Sequence, residues 1–374
     1  MKMDTDEFNR LFTESTEGGK LKTKGERIEE EAVSSKMKKI KGVTLIDMKR
    51  AQNAAIALAR IKLTYSEIRD KVTAFDDELF TVEQLRALHE HLPSDEEALV
   101  LRRYEGDVNL LGLAEKYMLT MLDCVGVRAR LHGLIVKKQF LPRYHDVKHK
   151  FSILESACDH IKTSIRLRKV LKTILKVVNQ LNESQEHGIT VESLVKLATI
   201  KAFDKKTSVL QYCIMLVCRH DEDALQFPAD LKHLQDAAKL GLEPLLAEKH
   251  ALQQELQGSV RTLSTLREHR CSDDAPLAEI IGVLQDKLLP MCSELDKRAQ
   301  TLQAKFATIL QYFCEDSKLT VQEFFVPMHK FVEDFLATKA AIEKQRAAEA
   351  RKLKVSSMPN MAKRRVSISR KPMS

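Results

Sequence analysis

Residues 43–63 read VTLIDMKRAQNAAIALARIKL, a stretch that predicts an amphipathic helix. On a wheel of about 100° per residue, one face is apolar and typical of a packed helix. The members of this stripe are Met48, Ala51, Ala54, Ala55, Leu58 and Ile61. Ile56 lies about 140° from the centre of the stripe, on the polar, cationic side of the helix. It is either a contact residue or one of the isolated exposed hydrophobes that are common on protein surfaces.

Residues 47–53, followed by Ala55 and Ile56, resemble the signature helix of the formin homology 2 domain, the actin-assembling module of formins. In that family, the isoleucine after the alanine-glutamine-asparagine core contacts a groove on an actin subunit. The resemblance therefore implies that Ile56 binds actin. It extends the predicted contact to other residues of the same stretch: Lys49, Arg50, Asn53 and Arg60.

The composition favours a helix-rich protein with an acidic partner. The 374 residues are 44% hydrophobic and 30% charged, with no Trp, 12 Gly and 9 Pro. The net charge of +8 would attract nucleic acid, anionic lipid or an acidic protein filament. Seven scattered cysteines fit reduced, buried thiols. No membrane span or secretory signal is recognisable, so we expect a cytoplasmic, cytoskeletal location.

Residues 1–42 predict a truncated opening segment and a charged linker. Phe8, Leu11 and Phe12 form an apolar cluster that resembles the start of the first formin subdomain, although a short surface helix would give the same pattern. Formins carry a tryptophan-bearing lasso upstream, which wraps around a second subunit. Because this sequence has neither that segment nor any Trp, we expect a mainly monomeric chain, and lasso-mediated homodimerisation is in doubt.

Two further motifs resemble formin surfaces. Residues 178–182 stand where formins have a glycine-asparagine-tyrosine-methionine-asparagine motif, with Asn179 and Asn182 matching, and Gly188 remains of the glycine-rich loop that follows. In the family these residues belong to the post that receives the lasso. Lys201 matches a lysine that contacts actin, and Lys205 and Lys206 add charge beside it. Without the resemblance, these lysines would be read as solvated side chains.

A basic helix is predicted over residues 164–176. Either its apolar stripe is buried and the charged ends of its lysine and arginine side chains extend into solvent, or the helix faces an acidic surface. Farther along, leucines recur every three, four or seven residues between positions 231 and 309. This spacing predicts two long helices joined by a turn at residues 271–276, with the second helix kinked near Pro290. The resemblance implies that this antiparallel coiled-coil hairpin closes the domain.

We therefore expect an all-α fold, an elongated array of helical subdomains like that of formin homology 2 domains. The motif order predicts a knob-like subdomain at 43–150, a post-like subdomain at 151–228 and the coiled-coil hairpin with its closing helix at 229–340. Residues 341–374 predict a charged helix and a basic, disordered tail that would touch anionic lipid or an acidic partner. Within this tail, Arg364, Arg365 and Val366 precede Ser367, a pattern typical of basophilic-kinase sites.

Motifs of catalysis are missing from the sequence. It lacks a phosphate-binding loop, a nucleophile elbow and paired-cysteine zinc spacing, so we expect no enzyme activity and no cofactor. His89 and His91, like His145 and His149, are read as surface or packing residues, and no metal is expected.

The resemblance implies actin binding, filament nucleation and association with the growing barbed end. The alternative is a monomeric, non-nucleating scaffold that binds actin, microtubules or another acidic partner; nucleic acid is disfavoured because exposed aromatics do not interleave the cations.

Overall fold

The computed structural model describes residues 43–203, 205–271 and 273–356, with side chains as far as residue 352. These residues form an all-α fold, as the sequence predicts, and they contain two isolated β-bridges but no strand. None of the described helices is both long enough and apolar enough to cross a membrane.

The helices are numbered in chain order. The first five are α1 (Met48–Leu58), α2 (Tyr65–Thr73), α3 (Val82–Glu90), α4 (Asp95–Arg102) and α5 (Leu113–Leu122). The next five are α6 (Val127–Thr163), α7 (Ile165–Asn182), α8 (Val191–Lys196), α9 (Val209–His220) and α10 (Leu234–Ala237). The last four are α11 (Leu242–Arg270), α12 (Ala275–Gly282), α13 (Leu289–Tyr312) and α14 (Val321–Ser356). Short 3-10 helices occur at Val108–Leu110 and Glu222–Asp230, and a π-helical turn occurs at Val283–Leu288.

The chain divides into two compact units. The described residues of the first unit are 43–67 and 90–123, and those of the second are 68–89 and the residues from 124 onward. These units are defined by spatial contacts, whereas the subdomain limits expected at 43–150, 151–228 and 229–340 come from the order of the motifs. Those limits therefore stay predictions. Helix α6 passes position 150 without a break, and α14 likewise passes position 340.

In the first unit, α1 packs against α5. Its N-terminus is capped by Asp47, whose side chain accepts a hydrogen bond of 3.0 Å from the Arg50 amide. Ala54, Leu58 and Ile61 are buried as the stripe predicts. The prediction was wrong for Met48, which is 72% exposed. The reason is positional: Met48 is the first helical residue, and burial along the stripe starts only at Ala54, in the second half of α1.

Helix α6 is the spine of the second unit, and α11 and α13 pack against it. The predicted antiparallel pair is therefore present, but its apolar positions are shared with a third helix. The predicted start of the first hairpin helix near residue 231 was too early, since α11 begins at Leu242. The preceding residues form the 3-10 helix and the short α10 instead.

A π-helical turn lies just before Pro290, the position at which the sequence predicts a kink. There, the Leu289 amide donates to the Leu284 carbonyl, five residues back. A proline has no amide hydrogen to donate, and its ring clashes with the carbonyl one turn earlier. The wider turn makes room for that ring, and α13 begins directly after it at Leu289.

Aromatic side chains close the second unit. Phe313 and Phe324 meet edge to face, with ring centroids 5.2 Å apart, and Phe306 lies 5.9 Å from Phe324. Phe227, from the 3-10 helix, contacts Phe335 of α14 at 4.7 Å. These phenylalanines are buried, which is the packing role that the sequence pattern allowed for them.

Helices α6 and α13 are also joined by an ionic network around Glu294. Its carboxylate lies 2.8 Å from the Lys148 ammonium and accepts a hydrogen bond of 2.5 Å from the Tyr144 hydroxyl. Arg298 contacts the same carboxylate at 3.5 Å and bonds Glu155 at 3.1 Å. The hydrogen bonds from Lys148 and Tyr144 lower the pKa of Glu294 to about 2.

Glu294→Gln is expected to lower the free energy of unfolding near neutral pH by a small amount, because the Glu294 side chain is 43% exposed and solvent screens the pair. The folded-state pKa lies below the ordinary value of 4.5, so the carboxylate stabilises the fold above that value. The difference between wild type and variant should shrink as the pH falls from 4.5 towards about 2. Urea denaturation at several pH values checks this, with Glu343→Gln on α14 as an exposed control. A difference that stays constant on acidification would contradict it.

Candidate functional site

Ile56 is presented to solvent by a well-anchored helix. Its side chain is 58% exposed, whereas Ala54 and Leu58, two residues to either side, are buried. Lys49 and Asn53 are exposed on the same helix. Arg60 is exposed as well, but it lies beyond the end of α1 at Leu58. The predicted apolar contact residue is thus accessible and bordered by cationic and amide groups.

Arg50 has a different environment from its neighbours. Its Nε donates to Glu97 at 2.7 Å, and an Nη group donates to the Leu92 carbonyl at 2.9 Å. Glu97 also completes a capping box with Ser94 at the start of α4. The Arg50 guanidinium therefore ties α1 to α4 within the first unit. Its predicted part in actin binding remains a prediction, and its observed contacts position the helix that carries Ile56.

Lys201 lies in a short hairpin of the second unit, which we call the Lys201 hairpin (described residues 200–203 and 205–209). The Val209 amide donates to the Ile200 carbonyl at 2.9 Å, and the Ala202 amide donates to the Thr207 carbonyl at 2.8 Å. Lys201 and Ser208 form an antiparallel bridge. The side chains of Lys201, Lys205 and Lys206 are all exposed. The three predicted lysines are therefore brought together on one small element.

A cleft of about 1060 Å³ opens beside this hairpin. Its walls come from the end of α7, α8, the hairpin and α9. Most of the lining is apolar and includes Val178, Leu181, Ile200 and Tyr212. The cleft is bordered by four lysines and, among the described lining residues, by no carboxylate. These lysines are Lys176, Lys196, Lys201 and Lys205.

The post-like motif borders this cleft. Asn182 lies in its lining, whereas the Asn179 side chain folds back on the loop after α7. The Asn179 amide group donates to the Glu186 carbonyl at 2.9 Å and accepts from the Glu186 amide at 3.1 Å. Gly188 is confined by Cys314, since a Cβ at that position would come within 2.3 Å of the Cys314 sulfur. Asn179 and Gly188 therefore shape the loop. The formin motif has a glycine and a tyrosine where this chain has Val178 and Gln180, and both of these residues line the apolar cleft.

The basic helix α7 has fewer available cations than its sequence suggests. Arg166 bonds Asp223 at 2.9 Å and Asp230 at 3.0 Å, and Lys169 bonds Asp221 at 2.5 Å. These contacts raise the pKa of Arg166 and lower the pKa of Asp221. Both cations therefore hold α7 to the chain that follows α9. Lys172 and Lys176 are exposed farther along the helix.

The described residues contain no group of three or more side chains that could hold a metal ion. His89 lies 6.4 Å from His132, measured between ring centroids, and burial lowers the pKa of His89. His145 and His149 are exposed on α6. The residues Phe8, Leu11, Phe12 and Ser367 lie outside the described part of the chain.

Sequence reasoning missed Phe203, the fully exposed aromatic residue of the Lys201 hairpin. Charge is the strongest pattern around Phe203, because Lys201 precedes it by two positions and Lys205 follows it by two. Its exposure depends on the hairpin turn. A clue was available in the close spacing of Lys201, Phe203 and Lys205, which is an apolar residue within a cationic run.

Comparison with known proteins gives a consistent result. The family model described as Formin Homology 2 Domain matches residues 1–336. Disheveled-associated activator of morphogenesis 2 of Mus musculus is 30% identical over 318 residues, which are 83% of this chain and 28% of that protein. Formin-like protein 6 of Oryza sativa subsp. japonica is 27% identical over 364 residues, 93% of this chain and 26% of that protein.

Protein diaphanous homolog 3 of Mus musculus is 27% identical over 334 residues, covering 87% of this chain and 28% of that protein. The chain thus spans about a quarter to a third of the length of these relatives. The match spans the described residues of the first unit and those of the second unit as far as residue 336. With its all-α fold and a family match over residues 1–336, this chain belongs to the formin homology 2 family, whose formins are actin-binding regulators of the cytoskeleton.

Proposed function

We propose that this chain binds actin, nucleates filaments and associates with the growing barbed end. The observation that carries the proposal is the exposure of Ile56 on α1, a helix that Asp47 caps and Arg50 ties to α4. An apolar side chain held on a rigid element is typical of the anchors that dominate protein interfaces. Its resemblance to the signature helix of formins places it where that family would contact actin.

The Lys201 hairpin supplies the second contact in this proposal. Its exposed lysines would meet an acidic surface of actin, and the net charge of +8 gives the whole chain a favourable long-range field. Charges of this kind mainly steer association and set specificity, while the apolar anchor contributes more to affinity. The two surfaces therefore have separable signatures in a binding experiment.

The proposal is tested by adding the purified chain to actin monomers and to filaments capped at one end. Nucleation shortens the lag of assembly, and barbed-end association changes elongation from existing filament seeds. Two modules held about one actin subunit apart would stabilise the nucleus, so we expect a tandem fusion to gain nucleating activity over the single chain. Sedimentation equilibrium run in parallel tests the expectation of a mainly monomeric chain. Binding without any nucleation, even by the tandem fusion, would favour the non-nucleating scaffold instead.

Actin binding is expected to weaken as salt rises past the concentration where the Debye length is about 8 Å. Since Arg166 and Lys169 are engaged with aspartates, the salt dependence should come chiefly from Lys201 and Lys205 of the hairpin and from Lys172 and Lys176. Lys201→Ala should reduce the slope of log affinity against log salt, measured by co-sedimentation. Lys232→Ala, at an exposed lysine outside the cleft, is the matched control. Equal slopes for wild type and Lys201→Ala would contradict the assignment.

A further inference from the structure

Backbone hydrogen bonds join the described residues on the two sides of the Lys201 hairpin. Besides the two cross-strand bonds, the Lys205 amide donates to the Ala202 carbonyl at 2.9 Å. Lys205 itself has a φ of 55°, in the left-handed region that tight turns use. Val209 and Leu210 follow directly and are buried, so they anchor the hairpin to the second unit. The described residues of the hairpin are therefore held by both hydrogen bonds and packing.

Phe203 occupies this turn with its ring in solvent. It is fully exposed, whereas the large phenylalanines of α13 and α14 are buried. Burial of a phenylalanine side chain is among the larger apolar contributions that one residue can make. The fold does not use that contribution, since removing the Phe203 ring would leave no cavity. The contribution is available to a partner that covers the turn.

The surroundings of Phe203 restrict the chemistry of that partner. Lys201 and Lys205 flank the ring along the chain, and Lys176 and Lys196 extend the cationic border around the cleft. Lys196 is paired with Glu192 at 2.7 Å, while Asp204 lies outside the described residues. The complement of this surface is an apolar recess bordered by carboxylates. A protein surface offers that combination in one place.

An anionic membrane would satisfy the same charges, but the shape favours a protein. Phe203 stands at the edge of a cleft whose other exposed apolar residues are Leu181, Ile200 and Tyr212. A planar bilayer would reach the tip of the turn and leave the concave part uncovered. A protein surface with relief can cover both the ring and the apolar residues behind it.

We propose that Phe203 is a second apolar anchor for actin, which inserts into a carboxylate-bordered recess while Lys201 and Lys205 contact the border. This inference rests on the proposed function, because it assigns the partner of that same surface. The lysines of the Lys201 hairpin contribute charge to this site. Phe203 adds an apolar contribution to its affinity. Ile56 and Phe203 are then the anchors of the first and second units respectively.

The test compares the actin affinity of Phe203→Ala with that of wild type over a range of salt concentrations. Loss of an interface anchor should weaken binding by about tenfold or more, by a factor that is the same at every salt concentration. Lys201→Ala should instead lower the salt slope. Leu79→Ala removes another exposed apolar side chain of the second unit and should bind as wild type. Circular dichroism and melting temperature should be unchanged in all of these variants.

The outcomes separate this inference from the function on which it rests. Wild-type affinity of Phe203→Ala, together with impaired binding by Ile56→Ala, would overturn the inference and leave the function standing. Absence of actin binding by the wild-type chain would overturn the function, and with it this assignment. Vesicles of phosphatidylcholine and phosphatidylserine provide the last arm. Phe203-dependent binding to those vesicles, with unchanged actin affinity, would reassign the turn to a membrane.

Discussion

Ile56→Ala is expected to abolish actin assembly and barbed-end binding at micromolar protein concentration. Truncating a central interface anchor typically costs about 2 kcal/mol or more, which corresponds to about thirtyfold in affinity. The fold should not suffer, because the Ile56 side chain is 58% exposed and alanine is a better helix former than isoleucine. The melting temperature should therefore be unchanged or slightly raised. Assembly kinetics and thermal denaturation of the same preparation measure both effects.

Met48 provides a matched control for this experiment. It lies on the same helix, is apolar and is 72% exposed, but it lies at the first helical residue, two turns before Ile56. Met48→Ala removes a comparable exposed side chain from α1, so any general effect of lost surface hydrophobicity should occur in both variants. We expect full activity from Met48→Ala. Activity retained by Ile56→Ala, or lost equally in both variants, would remove the assignment of Ile56 as the anchor.

The sequence predicted which side chains of the second half of α1 are buried, because the apolar residues of a packed helix recur with the helical period and lie on one face. Ala54 and Leu58 followed the apolar stripe and are buried, while Ile56 departed from it and is exposed. Periodicity carries no information on where along a helix its packing begins. Met48 was misassigned for this reason, since it obeys the same period as Ala54 but lies outside the buried half of α1.

The charged residues were harder to interpret because their partners are distant in sequence. Arg166 and Lys169 of α7 have the composition of a free cationic face, yet both bond aspartates more than fifty residues away. Arg50 likewise bonds Glu97, which is 47 positions along the chain. Local pattern cannot separate a lysine or arginine that awaits a partner from one that already has an internal one. The exposure of Lys201 and Lys205 is evident only from the folded hairpin around them.

Arg130 is the extreme case of a charged residue that the fold uses internally. Its position among the cations of α6 suggests a surface side chain, but it is only 2% exposed. The guanidinium donates to the Thr73 carbonyl at 2.8 Å and to the Val125 carbonyl at 2.9 Å, and it bonds the Asp274 carboxylate. It also lies 5.2 Å from the centre of the Phe75 ring. One side chain thereby joins the end of α2, the start of α6 and the turn before α12.

Arg130→Met is expected to destabilise the second unit by about 3–5 kcal/mol, because it leaves a part-buried carboxylate and two carbonyls without their donor. Asp274→Asn keeps the helix cap but removes the charge, so it should be costly alone and much less costly when residue 130 is already methionine. Urea unfolding of the four proteins gives this coupling directly. Lys150→Met, at an exposed pair with Asp146, is the control and should cost less than about 0.5 kcal/mol. Additive effects of the Arg130 and Asp274 substitutions would mean that the guanidinium stabilises the fold through its packing and carbonyl bonds rather than through the ion pair.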